Sequence, residues 1–186
     1  MGDNCFFVCM KTKNTLIAVA AGAGIAGLIY ALWPKNKIPK TAIVEPFDKH
    51  KYLGLWNEIA RLPNRIEKNL KDLTQNYTLN DDGTIRVVTR AYNFDKNKPV
   101  EAMGTAKFTG PDTRGQLKVA YFVPVSLDYN VLDVDAKYNY AMVSTSSLDY
   151  LWILSRENTV PHEIRERFLH KAAALGFDIS KLEWMG

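Results

Sequence analysis

"GLWNEIAR", residues 54–61, sets a glycine two positions before a tryptophan and then alternates. At period two, Trp56, Glu58 and Ala60 share one face, and Asn57, Ile59 and Arg61 share the other. A large ring at the start of a strand needs an interior to fill. A residue without a side chain beside it lets the backbone turn sharply. The rest of the chain says which interior that is.

From Phe47 onward the sequence runs in short period-two segments broken by turn residues. "NLKDLTQNYTLN" and "GTIRVVTRAYN" flank Asp82-Gly83, a hairpin signal. "VEAMGTAKFTG" and "GQLKVAYF" flank the turn "PDTRG". "YNVLDVDA" leads into "KYNYAMVSTS", and "LDYLWILSR" closes the series, giving eight strands with GLWNEIAR. The period then changes. Ile164, Phe168, Ala172 and Leu175 recur at helical spacing, after Thr159 and Pro161 and before Gly176. "FDISKLEWM" is suited to a short final strand. The expected fold is all-β: an eight-stranded up-and-down antiparallel barrel with a C-terminal α-helix packed outside, preceded by an apolar N-terminal helix. Such a barrel has room for one small ligand and needs one end plugged. Trp56 is the natural plug. Arg156 ends the last strand, next to the first in a closed barrel, where its guanidinium can stack on Trp56 and reach backbone carbonyls. Glu58 is placed either to pair Arg156 or to lie near a ligand.

The N-terminal part reads differently. Residues 15–33, "TLIAVAAGAGIAGLIYALW", carry no charge and would span roughly 28 Å as a helix, close to a bilayer core. They divide the chain into a basic segment 1–14, a transmembrane helix or signal sequence 15–33, a proline-bearing linker 34–46 and a barrel domain 47–186. Met10 is an alternative start. The net charge of +4 belongs to the N-terminal part. From Thr41 onward, 19 Lys and Arg face 19 Asp and Glu. Nothing suggests the basic face that a nucleic-acid binder requires. Both cysteines, Cys5 and Cys9, precede the apolar segment. His162-Glu163 lacks the second histidine of a zinc helix, because position 166 is Glu. No metal or cofactor is expected, and no Ser-His-Asp or paired-carboxylate spacing suggests catalysis.

By alternation, the residues lining the interior are Val87, Thr89, Val119, Tyr121, Tyr129, Val131, Ala141, Val143, Tyr150 and Trp152. On the residues alone, a filled core and a ligand cavity fit this set equally.

Three short regions in order resemble the lipocalin family. Gly54-Leu55-Trp56 matches its Gly-x-Trp. Asp135, Tyr140 and Ala141 match parts of its second region, with Val134 and Ala136 replacing the Thr and Tyr that flank the Asp. Arg156 matches its single late arginine. The resemblance covers about 140 residues, from Phe47 to the C-terminus. It is strongest to the bacterial outer-membrane, apolipoprotein D-like group. It implies that a fatty acid or lysophospholipid is bound in the interior, with structural roles for Gly54, Trp56, Asp135, Tyr140 and Arg156. It also implies a place in the bacterial cell envelope and leaves a homodimer open. An enzyme acting on a lipophilic substrate is the alternative from a different class, although the barrel has no cysteine nucleophile. That group commonly carries an acylated cysteine after its apolar segment, and none lies between Gly22 and the barrel here. The expectation is therefore a retained helical anchor with the barrel in the periplasm, against secretion after signal cleavage. Fractionating cells and sequencing the mature N-terminus checks it. A membrane-bound chain starting at Met1 or Met10 is expected, and a soluble chain starting between residues 22 and 40 contradicts it.

Overall fold

The computed structural model describes residues 37–122 and 125–185. The basic segment 1–14 and the apolar segment 15–33 lie outside the described residues. Among the described residues, no helix is long and apolar enough to cross a membrane.

Eight antiparallel strands form the barrel: β1 (Gly54–Arg61), β2 (Leu70–Leu79), β3 (Ile85–Asn93), β4 (Lys98–Phe108), β5 (Gln116–Phe122), β6 (Val125–Val134), β7 (Tyr140–Ser144) and β8 (Leu151–Ser155). Each pairs with the next. β1 pairs with both β8 and β2, which closes the sheet on itself. The two-residue β9 (Glu183–Trp184) adds to the outside of β1. One short helix, α1 (Lys49–Tyr52), leads into β1, and the carboxylate of Asp48 accepts from the backbone N–H of His50 and Lys51 to start it.

The longer helix, α2 (His162–Leu175), lies against the outer face of the barrel. Its fully buried Phe168 and Ala172 pack in one cluster with Ala60, Leu132, Met142, Leu151 and Ile153. Asp133 on β6 pairs with Arg167 and Lys171 of the helix at 3.3 and 3.2 Å. Gly176, at φ +97°, ends the helix, a left-handed conformation that glycine adopts without strain. The helix begins after Pro161, without a side-chain cap from Thr159.

The linker expectation is corrected from Lys37 onward. That stretch is laid against the barrel rather than free. Ile38 N–H donates to Ser146 O, Val44 N–H to Val131 O, and Phe47 N–H to Thr113 O. Ile43 and Phe47 are buried. The apolar residues of "IPKTAIVEPF" find barrel surface to cover, so a composition that suggests an extended tether becomes part of the domain.

The end of the barrel where β1 begins is shut by Trp56. Its ring is fully buried and its indole N–H donates to Tyr52 O at 2.9 Å. Arg156 lies over the ring with its guanidinium carbon 3.8 Å from the centroid. The same guanidinium donates to the carbonyls of Lys51, Tyr52, Leu53, Leu55 and Tyr138. It thus ties α1, the start of β1 and the β6–β7 turn together. Gly54, at φ +94°, leaves room for it; a Cβ there would stand 3.3 Å from an Arg156 nitrogen. Asp135 organises the same end. Its carboxylate accepts from the N–H of Lys137, Asn139 and Tyr140, which holds a turn that contains Tyr138 at φ +59°. Tyr140 itself points to the outer cluster under α2.

Trp56→Ala should lower stability by about 3–5 kcal/mol through the cavity it leaves. Arg156→Ala should cost less. The double variant should lose less than the sum, because the two side chains share one contact. Additive losses in denaturant unfolding would show that the stack contributes nothing.

Candidate functional site

Away from Trp56, the inward faces of the strands enclose a cavity of about 580 Å³. It opens at the end that carries the β1–β2, β3–β4, β5–β6 and β7–β8 connections. Val87 and Thr89 come from β3, Val119 and Tyr121 from β5, Tyr129 from β6, Val143 from β7 and Trp152 from β8. Alternation places all seven inside, and all seven line the cavity. The other three expected residues do not. Val131 and Ala141 face inward but sit in the buried cluster with Phe47, Trp56 and Leu154 at the closed end, away from the cavity. Tyr150 precedes β8 and stacks on Trp152 at 5.8 Å between ring centroids, outside the cavity wall. At the mouth, Ile66, Met103, Val125 and Leu127 line the cavity yet remain exposed, forming an apolar lip.

The floor is aromatic and self-satisfied. The hydroxyls of Tyr52 and Tyr129 lie 2.6 Å apart, and those of Tyr129 and Tyr77 lie 3.0 Å apart. The chain ends on the Gln75 side-chain oxygen, which accepts from Tyr77. Burial holds all three phenols above their ordinary range, so they remain neutral donors and acceptors. Tyr121 bonds Thr89 at 2.7 Å. Tyr77 and Gln75 escape the sequence reading because the hairpin signal identifies β2 without phasing it for burial.

The larger difference lies in the opening octapeptide. β1 does not keep period two. Its pairing with β8 steps from Glu58↔Leu154 to Ala60↔Ile153, leaving Ile59 as the extra residue of a bulge. The bulge exchanges the faces of the two residues after it. Ala60 points out under α2 instead of inward, and Arg61 joins Glu58 on the inner side. Glu58 therefore pairs with Arg61, at 2.8 Å, and not with Arg156. The guanidinium of Arg61 also donates to the carbonyls of Glu67 and Leu70, so it braces the β1–β2 loop. In that loop Asn64 accepts from the N–H of Ile66 and Glu67. Its amide donates to the Glu67 carboxylate at 2.7 Å. The same carboxylate oxygen accepts from the Trp152 indole N–H at 2.8 Å. The spacing Asn64-x-x-Glu67 resembles a capping box and is the one local signal that this loop is held in place.

Among the described residues, no group of three or more His, Cys, Asp or Glu is placed to hold a metal ion. The charged side chains of the cavity wall are Glu67 and Asp128.

A closed antiparallel barrel with one end plugged by a Trp–Arg stack, and an apolar cavity open at the other, defines a class of ligand-enclosing barrels. The chain belongs to the lipocalin family: residues 47–186 match the family model described as a lipocalin-like domain. It is 39% identical over 170 residues to the outer membrane lipoprotein Blc of Escherichia coli (strain K12), covering 91% of this chain and 96% of that protein. It is 30% identical to mouse (Mus musculus) apolipoprotein D, covering 86% and 89%. Among solved structures, insecticyanin from the tobacco hornworm Manduca sexta superposes with a TM-score of 0.62 at 22% identity, covering 77% and 82%, which shows the shared fold.

Glu58 supplies a test of the inner network. Burial first, and then the neighbouring Glu67 charge, push its carboxyl from an ordinary 4.5 to about 8, with Arg61 drawing it partly back. Between those values the folded protein holds a proton that the unfolded chain has released. This contribution is thus full below the unfolded value and is lost as the pH rises toward 8. Glu58→Gln keeps an acceptor for Arg61 and should flatten the fall in denaturant midpoint across that window. An unchanged pH slope would show that Glu58 is ionised throughout.

Proposed function

We propose that the protein binds a single-chain lipid, a fatty acid or lysophospholipid, in the barrel cavity and carries or stores it in the bacterial cell envelope. The observation that supports this most is the cavity itself. At about 580 Å³ it falls in the range of small-molecule sites, and its wall is largely aliphatic and aromatic with few polar groups. The lip of Ile66, Met103, Val125 and Leu127 continues the apolar wall to the outside. An alkyl chain entering there would stay in contact with apolar surface throughout. Kinship with a protein named as an outer membrane lipoprotein supports the envelope location. The ten residues named from sequence are proposed as ligand contacts only in part: the seven that line the cavity, joined by Glu67, Gln75, Tyr77 and the lip. The apolar segment 15–33 is proposed as the anchor to the membrane.

Trp152 lines the cavity, whereas Trp56 is sealed beneath it and Trp184 sits in the outer cluster. A long-chain fatty acid or lysophospholipid should therefore change tryptophan emission at micromolar concentration, on the order of −8 kcal/mol. Trp152→Phe should abolish most of that change. If saturating lipid leaves the emission of the wild-type chain unmoved and no lipid co-purifies, the carrier reading fails.

A further inference from the structure

The cavity wall contains two carboxylates and, among the described residues, no Lys, Arg or His. Asp128 stands near the mouth and accepts from the Ser146 hydroxyl at 2.6 Å. Glu67 is more telling. It is only 9% exposed, yet it lines the cavity. Both of its side-chain hydrogen bonds, from Asn64 and Trp152, fall on Oε2. Its Oε1 has no hydrogen-bond partner among the described residues, and it is not one of the wholly enclosed orphan atoms of the inner network, which include Glu58 Oε2. Burial first, and to a smaller extent the Glu67 charge, hold the Tyr121 hydroxyl, another group of the wall, above its ordinary range. So Oε1 is an acceptor left without a protein hydrogen bond among the described residues, on a nearly buried residue of the cavity wall.

Arg61 does not cancel this preference at the wall. It is not among the lining residues, and its hydrogen bonds run to Glu58 and to the carbonyls of Glu67 and Leu70. A carboxylate or phosphate brought beside Oε1 would meet like charge, and among the described residues no Lys, Arg or His lines the wall to offset it. A protonated amine would donate to Oε1, and the Trp152 and Tyr121 rings of the same wall are suited to a cation.

We infer that Glu67 makes the cavity selective for amphiphiles whose polar group carries an ammonium, over those that present only a carboxylate. This rests on the carrier reading above and narrows its ligand class. The ammonium can belong to a simple long-chain amine or to a zwitterionic ethanolamine headgroup whose phosphate stays at the mouth.

The test compares dodecylamine, dodecanol and dodecanoic acid, all below micelle formation, by Trp152 fluorescence of the full-length chain at neutral pH. The amine should bind roughly tenfold or more tighter than the acid, the alcohol falling between, as expected for one charge-assisted hydrogen bond. Glu67→Gln keeps an acceptor for Asn64 and Trp152. It should bring amine and acid together while leaving the alcohol nearly unchanged. Two lysolipids of equal chain length, with ethanolamine and glycerol headgroups, separate the sources. A preference for ethanolamine that vanishes in Glu67→Gln assigns the headgroup; a preference confined to dodecylamine assigns the simple amine. If the alcohol binds but amine and acid bind equally to the wild-type chain, Glu67 selectivity is overturned while the carrier reading stands. If none of the three binds, both are overturned. An amine preference that persists in Glu67→Gln and is lost in Asp128→Asn assigns the selectivity to Asp128 and overturns the proposal.

Discussion

The stack of Arg156 on Trp56 is the contact on which the rest of this structure depends. Eight strands can close into a barrel only if β1 meets both β8 and β2, and β1 begins beneath this pair. The ring fills the space where the strands converge. The guanidinium then donates to five backbone carbonyls gathered around it. Because this end is sealed by large side chains, the remaining interior opens in one direction only. A cavity with one mouth, rather than a filled core or a channel, results from where Trp56 sits.

Above that plug, the wall changes character in steps. Val131 and Ala141 still fill space with Phe47 and Leu154. The Tyr52–Tyr129–Tyr77 hydroxyl chain marks the floor of the open volume. Then come Val87, Val119 and Val143, and finally Trp152 and Glu67 below the exposed lip. The tyrosine hydroxyls of the floor satisfy one another and Gln75 Oε1, so they ask nothing of a ligand. Among the described residues of the cavity wall, Glu67 carries a carboxylate oxygen without a protein hydrogen bond, close to the loops of the open end. On the proposed reading, affinity comes from the valines and aromatic rings and selectivity from a loop residue.

Much of this is legible in the sequence. Period-two runs place seven cavity residues, and the change to helical spacing places Phe168 and Ala172 under the outer helix. Trp56 and Arg156 can be paired because a closed barrel makes first and last strands neighbours. The features that escape have identifiable causes. Nothing in "NEIARL" announces the bulge at Ile59, since Ile59 and Ala60 suit either face, and one extra residue is enough to exchange Ala60 and Arg61. The buried Glu58–Arg61–Glu67 network results from that exchange and is hidden with it. Residues from Lys37 to Pro46 carry tether-like prolines, but their burial depends on distant partners at Thr113, Val131 and Ser146, which no local pattern shows.

The most direct measurement of the central claim, that the barrel encloses ligand above a sealed plug, is a nitrogen–proton spectrum of the four tryptophan indoles during titration with a single-chain lipid. The account predicts that the Trp152 indole signal moves in step with lipid while that of Trp56 stays nearly fixed. A Trp152 signal that does not move, with shifts only at Trp184 on the outer face, would contradict it.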